Sequence, residues 1–145
     1  MLMRGYNQAT AMYINQGGNN MATRFFKCEI CGNVVQLVTV GGGPLACCGK
    51  PMTELQPNTT DAAVEKHVPA VSVDGNKIIV QVGDTPHPME EKHFIQWIYV
   101  EGGGCGQIAH LQPGDEPKAE FTIPCGKPSA VYAYCNLHGL WKKEL

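Results

Sequence analysis

Val68-Pro69-Ala70-Val71-Ser72-Val73-Asp74-Gly75-Asn76-Lys77-Ile78-Ile79-Val80-Gln81-Val82 is two β-branched runs around an Asp-Gly-Asn turn, the signature of a β-hairpin. The same alternation of run and turn continues downstream. Phe94 to Val100 precedes Gly102-Gly103-Gly104, and Gln107 to Leu111 precedes Pro113-Gly114-Asp115; Ala119 to Ile123 and Ala130 to Tyr134 complete the set. No long helical period interrupts them. These six runs with regular turn signals predict an immunoglobulin-like antiparallel β-sandwich of about seven strands over residues 58–145, and a mainly β protein overall.

The chain has 145 residues, 43% of them hydrophobic and 17% charged, the composition of an ordinary globular protein of one domain or two small ones. A formal charge of −2 offers no basic stripe for nucleic acid, and no apolar run approaches the roughly 18 to 20 residues a membrane helix needs. Neither is expected as a partner. Residues 1–22, with Gln16-Gly17-Gly18-Asn19-Asn20, are polar, glycine-rich and without periodicity, and are expected to be a disordered extension without an assigned function. They show no basic stretch followed by an apolar core, so a cytoplasmic location is expected. Seven cysteines cannot all pair within one chain, and a reducing compartment favours metal binding over disulfides.

Four of those cysteines fall within residues 23–57, about 35 residues that also hold the run Val34 to Val40 and the turn Gly41-Gly42-Gly43-Pro44. A segment that short rarely buries enough apolar surface to offset its conformational entropy without a metal or disulfide staple. Cys28-x2-Cys31 puts two thiolates on one tight turn, and Cys47-Cys48 supplies two more, a four-sulfur set for a tetrahedral ion. Softness and geometry admit zinc or iron. The adjacent pair is unusual, because two sequential thiolates must splay apart to reach one ion.

Four of the five histidines lie beside other ligand-type residues: Glu65-Lys66-His67, His87-Pro88-Met89, Glu91-Lys92-His93 and Cys135-Asn136-Leu137-His138. Cys135 and His138 share a turn, while His67, His87 and His93 must be brought to them by the fold. A histidine and cysteine site on a β-sandwich also invites comparison with blue copper, which uses two histidines, a cysteine and commonly a weak axial methionine. The segment after His138 holds no methionine, and Met89 follows His87 too closely to replace it. His110, Cys105 and Cys125 sit in glycine-rich or β-type surroundings and are expected to be structural.

Cys28-Glu29-Ile30-Cys31-Gly32-Asn33 and Cys47-Cys48-Gly49-Lys50-Pro51-Met52 resemble the desulforedoxin domain of the desulfoferrodoxin family. Glu65-Lys66-His67-Val68-Pro69, His87 to His93 and Tyr134-Cys135-Asn136-Leu137-His138-Gly139 resemble that family's superoxide reductase domain, which is similar to neelaredoxin. The likeness runs from about residue 24 to 142. It implies two mononuclear non-haem irons. The first would be held by Cys28, Cys31, Cys47 and Cys48 in a rubredoxin-like or desulforedoxin-like domain. The second would have His67, His87, His93 and His138 as equatorial ligands and Cys135 as axial thiolate. Five donors leave one octahedral position open, the mark of a catalytic rather than a closed site. The implied activity is reduction of superoxide to hydrogen peroxide, with Lys66 guiding the anion and Glu65 taking the vacant position in the ferric form. Rubredoxin as electron donor and a homodimer are further implications. A pure electron carrier using only the tetracysteine iron, or a zinc-bound interaction module, are the alternatives that metal analysis would separate.

Overall fold

The computed structural model describes residues 13–14, 22–124 and 126–145. The disorder expected over residues 1–22 therefore lies outside the described residues, apart from Ala22 and a two-residue strand, β1 (Tyr13–Ile14). The chain divides into two compact units: among the described residues, β1 and Asn58–Leu145 form the larger and residues 22–57 the smaller.

The smaller unit contains β2 (Phe25–Lys27), β3 (Val34–Gln36), β4 (Ala46–Cys47), β5 (Lys50–Pro51) and β6 (Thr53–Glu54). These form a three-stranded sheet, β3-β2-β6, and a separate β4-β5 hairpin. The Val34 to Val40 run is strand only as far as Gln36, and Val38 and Val40 stand exposed, with no second layer over them among the described residues. Among the described residues of this unit only Phe25 and Cys28 are buried. Arg24 forks onto Glu54 at 2.7 and 2.9 Å, but a pair this exposed contributes at most about 1 kcal/mol. A core of two residues leaves the unit dependent on whatever its cysteines bind.

Beyond Asn58 the larger unit continues with one helical turn, α1 (Val64–His67). Strands β7 (Pro69–Asp74), β8 (Lys77–Val82), β9 (Ile95–Gly102), β10 (Cys105–His110), β11 (Lys118–Thr122), β12 (Ala130–Cys135) and β13 (Gly139–Glu144) follow. All pair antiparallel, in a three-stranded sheet β11-β8-β7 and a five-stranded sheet β1-β10-β9-β12-β13. Period-two burial explains how the two pack. Ile78, Val80 and Val82 of β8, with Ala119 and Phe121 of β11, face Ile98, Val100, Val131 and Ala133 of β9 and β12. Gln107 ties the layers at one end, its Nε2 donating to Thr122 O at 2.6 Å.

The two central strands are buried on both faces. Trp97, Tyr99, Tyr132 and Tyr134 point away from the inter-sheet core yet are also buried, with Trp97 stacked on Tyr134 at 5.3 Å. This accounts for their near-continuous apolar and aromatic sequence. The β9–β12 register slips at the end that matters: Tyr134 opposes Trp97, but Cys135 opposes Ile95. Gln96 is the extra residue of this bulge, and it re-aims the chain where Cys135 begins the turn toward His138. Cys105, expected to be a structural thiol, is buried and disulfide-bonded, a link that its spacing did not reveal. Cys125 lies outside the described residues.

Candidate metal centres

The sandwich brings five donors to one end. His67 closes α1, whose single turn leaves Glu65 and Lys66 exposed and turns the His67 ring inward, 2% exposed. Its Nδ1 donates to Ala63 O at 2.7 Å, which presents Nε2 to the cluster. A tight turn after β8 carries His87. Gly83 N donates to Val68 O and Thr85 N to Glu65 O, both at 3.1 Å, so this turn is sewn to the segment bearing His67. His87 Nδ1 donates to Pro88 O at 2.6 Å, again freeing Nε2. His93 sits on a narrow loop closed by paired 2.9 Å bonds between Glu90 and His93. Cys135 ends β12, and His138 follows three residues later in the turn into β13.

The donor atoms of His67, His87, His93, Cys135 and His138 all lie within 4.8 Å of one another. His67 Nε2 is 3.1 Å from His87 Nε2 and 2.9 Å from His138 Nδ1. Metal–nitrogen bonds of roughly 2.1 Å at right angles place neighbouring donors about 3.0 Å apart, so these spacings suit one shared ion. Ring orientation agrees. His67, His87, His93 and His138 follow each other in a circle, each nearly perpendicular to the next, at 77°, 82°, 84° and 83°. His67 and His93 face each other across 6.2 Å at 29°. Cys135 Sγ, 3.8 Å from His138 Nδ1, is the fifth donor. His93 Nε2 is buried with no protein partner, an orphan that an ion would satisfy.

The electrostatics favour ligation. Burial lowers the pKa of His67 and His93 and takes His87 down to about 4, so these rings are neutral, with lone pairs available, at physiological pH. Burial raises the Cys135 thiol, while the backbone N–H groups of His138 and Leu137 donate to its sulfur and oppose that shift. The charge of Lys66 reaches His93 and that of Glu65 reaches His67, so both exposed residues act electrostatically on rings of the cluster. Trp141 of β13, 1% exposed, stacks on His67 at 4.8 Å and braces the side of the ring.

The smaller unit gathers Cys28, Cys31, Cys47 and Cys48, their sulfurs also within 4.8 Å of one another. Cys31 Sγ stands 3.6 Å from Cys47 Sγ, and Cys47 Sγ 4.0 Å from Cys48 Sγ. Metal–sulfur bonds of roughly 2.3 Å in a tetrahedron separate sulfurs by about 3.8 Å. The two adjacent cysteines splay because Cys48 adopts φ +52, a left-handed conformation costing about 1–2 kcal/mol for an L-residue with a side chain. Backbone N–H groups of Cys31 and Ile30 lower Cys28 to about 6, whereas hydrogen bonding to Cys31 and Cys28 pushes Cys48 up to about 12. Four thiolates so close repel one another, and a bound cation removes that penalty.

All nine donors singled out from the sequence thus fall into two clusters, and His110 lies outside both, exposed on β10. Residue type and spacing do not single out Trp141, Asn136 or Gly83 for the site. Only Asn136 carried a sequence signal, its place inside Cys-x-x-His.

Residues 59–144 match the family model described as Desulfoferrodoxin, and residues 21–55 the one described as Desulfoferrodoxin, N-terminal domain. A desulfoferrodoxin of Syntrophotalea carbinolica is 55% identical over 119 residues, 82% of this chain and 94% of that protein. A desulfoferrodoxin homolog of Archaeoglobus fulgidus is 53% identical over 117 residues, 81% of this chain and 93% of the relative. The crystal structure of the superoxide reductase from Treponema pallidum superposes with a TM-score of 0.71 at 29% identity, covering 86% of this chain and all of that one. With both family models matched in order, and a four-cysteine and a four-histidine, one-cysteine cluster in the same order, the chain belongs to the desulfoferrodoxin family.

Proposed function

We propose that His67, His87, His93, His138 and Cys135 hold the catalytic iron of a superoxide reductase, and that Cys28, Cys31, Cys47 and Cys48 hold a second iron. The reaction is superoxide plus one electron and two protons giving hydrogen peroxide. The observation that carries this assignment is the circle of four perpendicular imidazoles with a buried sulfur as fifth donor. When bound there, iron supplies a one-electron couple and a coordination position that none of the five donors fills.

The protein's own part is to hold, tune and steer. Ala63 O and Pro88 O fix which nitrogens of His67 and His87 face inward. The N–H groups of Leu137 and His138 temper the electron donation of the Cys135 sulfur. Lys66, exposed one residue before His67, supplies local positive charge for an anionic substrate that a protein of charge −2 does not attract globally. Glu65, exposed two residues before His67, would supply a carboxylate to the iron in its oxidised state. In this reading residues 23–57 form the desulforedoxin-like iron domain and 58–145 the catalytic one. A rubredoxin-like carrier returns the electron, and the active species is a homodimer in the cytoplasm. No helix among the described residues is long and apolar enough to cross a membrane.

Metal analysis and visible spectroscopy of anaerobically purified protein test the assignment. Two irons per chain are expected, and Cys135→Ser should remove the thiolate-to-ferric colour of one of them. One iron confined to the cysteine set, or zinc in place of both, would overturn it.

A further inference from the structure

The four imidazoles are not held alike. His67 and His87 each donate their outer ring nitrogen to a backbone carbonyl, Ala63 O and Pro88 O. His93 and His138 have no such bond among the described residues. Outer partners of this kind normally set the tautomer and orientation of a ligating histidine. Two of the four rings must take their placement from somewhere else.

Both unrestrained histidines lie on segments joined by one side chain. Asn136 Oδ1 accepts from the Phe94 N–H at 2.9 Å, and Asn136 Nδ2 donates to Lys92 O at 3.0 Å. Its own backbone N–H donates to Phe94 O at 3.2 Å. The residues on either side of His93 are therefore fixed to the residue that directly follows Cys135 and stands two before His138. This happens just past the bulge, where the regular β9–β12 ladder has ended at Cys135 and Ile95. The carboxamide continues the pairing where strand geometry no longer does.

We propose that Asn136 is a positioning residue of the catalytic site: through the backbones of Lys92, Phe94 and Cys135 it supplies the restraint that His93 and His138 lack, and sets where both stand relative to Cys135. The inference rests on reading the five-donor cluster as the iron site. Only an amide of this length fits the role. Alanine removes both side-chain bonds; aspartate keeps the acceptor for Phe94 N–H but loses the donor to Lys92 O and sets a carboxylate against that carbonyl.

Asn58 provides a comparison for general destabilisation, its left-handed φ of +60 adding backbone strain to the alanine variant. Its side chain makes a similar clamp on Lys142, accepting from Lys142 N at 2.8 Å and donating to Lys142 O at 3.1 Å, with no histidine or cysteine between the bonded groups. Full-length iron-loaded wild type, Asn136→Ala, Asn136→Asp and Asn58→Ala should be compared in three measurements. These are the rate of ferrous iron loss to an added chelator, the thiolate-to-ferric band with the paramagnetic resonance of the oxidised site, and thermal unfolding of the metal-free protein. Asn136→Ala should lose iron from the five-donor set roughly 10- to 100-fold faster and shift the band and resonance. Asn136→Asp should fall between it and wild type. Asn58→Ala should unfold at lower temperature with wild-type iron retention and spectrum. Wild-type retention and spectrum in Asn136→Asp and Asn136→Ala, or changes matched by Asn58→Ala, would overturn the inference with the site reading intact. A wild type that takes up no metal in the five-donor set overturns that reading, and this inference with it.

Discussion

Gly83 packs against the backbone that leads into His67, and Gly83→Ala is a demanding perturbation. Its φ is +83, in the left-handed region, where an alanine costs about 1–2 kcal/mol. The added Cβ would press on Thr85 O and stand 2.6 Å from Lys66 O and 2.7 Å from Lys66 C. All three are backbone atoms, so no side chain can rotate aside, and overpacking of this kind costs about 1–3 kcal/mol. Together these predict a loss of about 2–5 kcal/mol, a fall in melting temperature of roughly 10 °C or more for a domain of this size. Relief requires the Lys66 carbonyl to move, and His67 is the next residue. Gly102→Ala is the control, because its Cβ would meet Lys127 O and lie 2.5 Å from Pro128 Cα, away from every residue of the five-donor set. Calorimetry of the metal-free proteins and iron content after reconstitution are the assays. Both variants should be destabilised, and only Gly83→Ala should also hold the catalytic iron poorly. Wild-type stability and iron content in Gly83→Ala would refute the reasoning, as would equal iron loss in the two variants.

Lys66→Ala should slow superoxide capture and flatten its dependence on ionic strength, while leaving iron content unchanged; equal rates and salt slopes by pulse radiolysis would reduce Lys66 to a solvated surface residue. Cys48→Ser should empty and unfold the smaller unit, whose buried core is Phe25 and Cys28, while the five-donor set keeps its iron; parallel circular dichroism and metal analysis check both halves. For the metal-free protein, His87 has a folded pKa of about 4 against an ordinary 6.5, so the unfolded chain binds more protons between those values. Stability fully present above about pH 6.5 should therefore be lost as pH falls toward 4, by up to about 3 kcal/mol from His87, with His67 and His93 acting in the same direction; a flat denaturant midpoint across that window would contradict it.

Hairpin β7–β8 was legible because an Asp-Gly-Asn turn separates two β-branched runs, and the donor sets were legible because ligand chemistry leaves few residue types to choose from. Strand β13 was not. Lys142, Lys143 and Glu144 dilute its apolar signal, and its buried pair, Leu140 and Trp141, is too short a run to show alternation. Helix α1 is a single turn, too short for any period to register. The run Val34 to Val40 predicted a longer strand than Val34–Gln36, since β propensity presumes a packed face that the smaller unit does not provide. The supports of the catalytic cluster are partnerships across the chain: Asn136 with Phe94, Trp141 with His67, Gly83 with Lys66. Each depends on register and turn geometry, which residue type and spacing alone do not carry.

Whether the chain reduces superoxide or dismutes it is settled by product stoichiometry. Reduced, two-iron protein should be mixed anaerobically with a known dose of superoxide smaller than the number of catalytic sites, and hydrogen peroxide and dioxygen both quantified. Reduction at the five-donor site predicts one peroxide for each superoxide consumed, one site oxidised per peroxide, and no dioxygen. Dioxygen released in equal amount to peroxide, or superoxide decay no faster than in buffer, would contradict it.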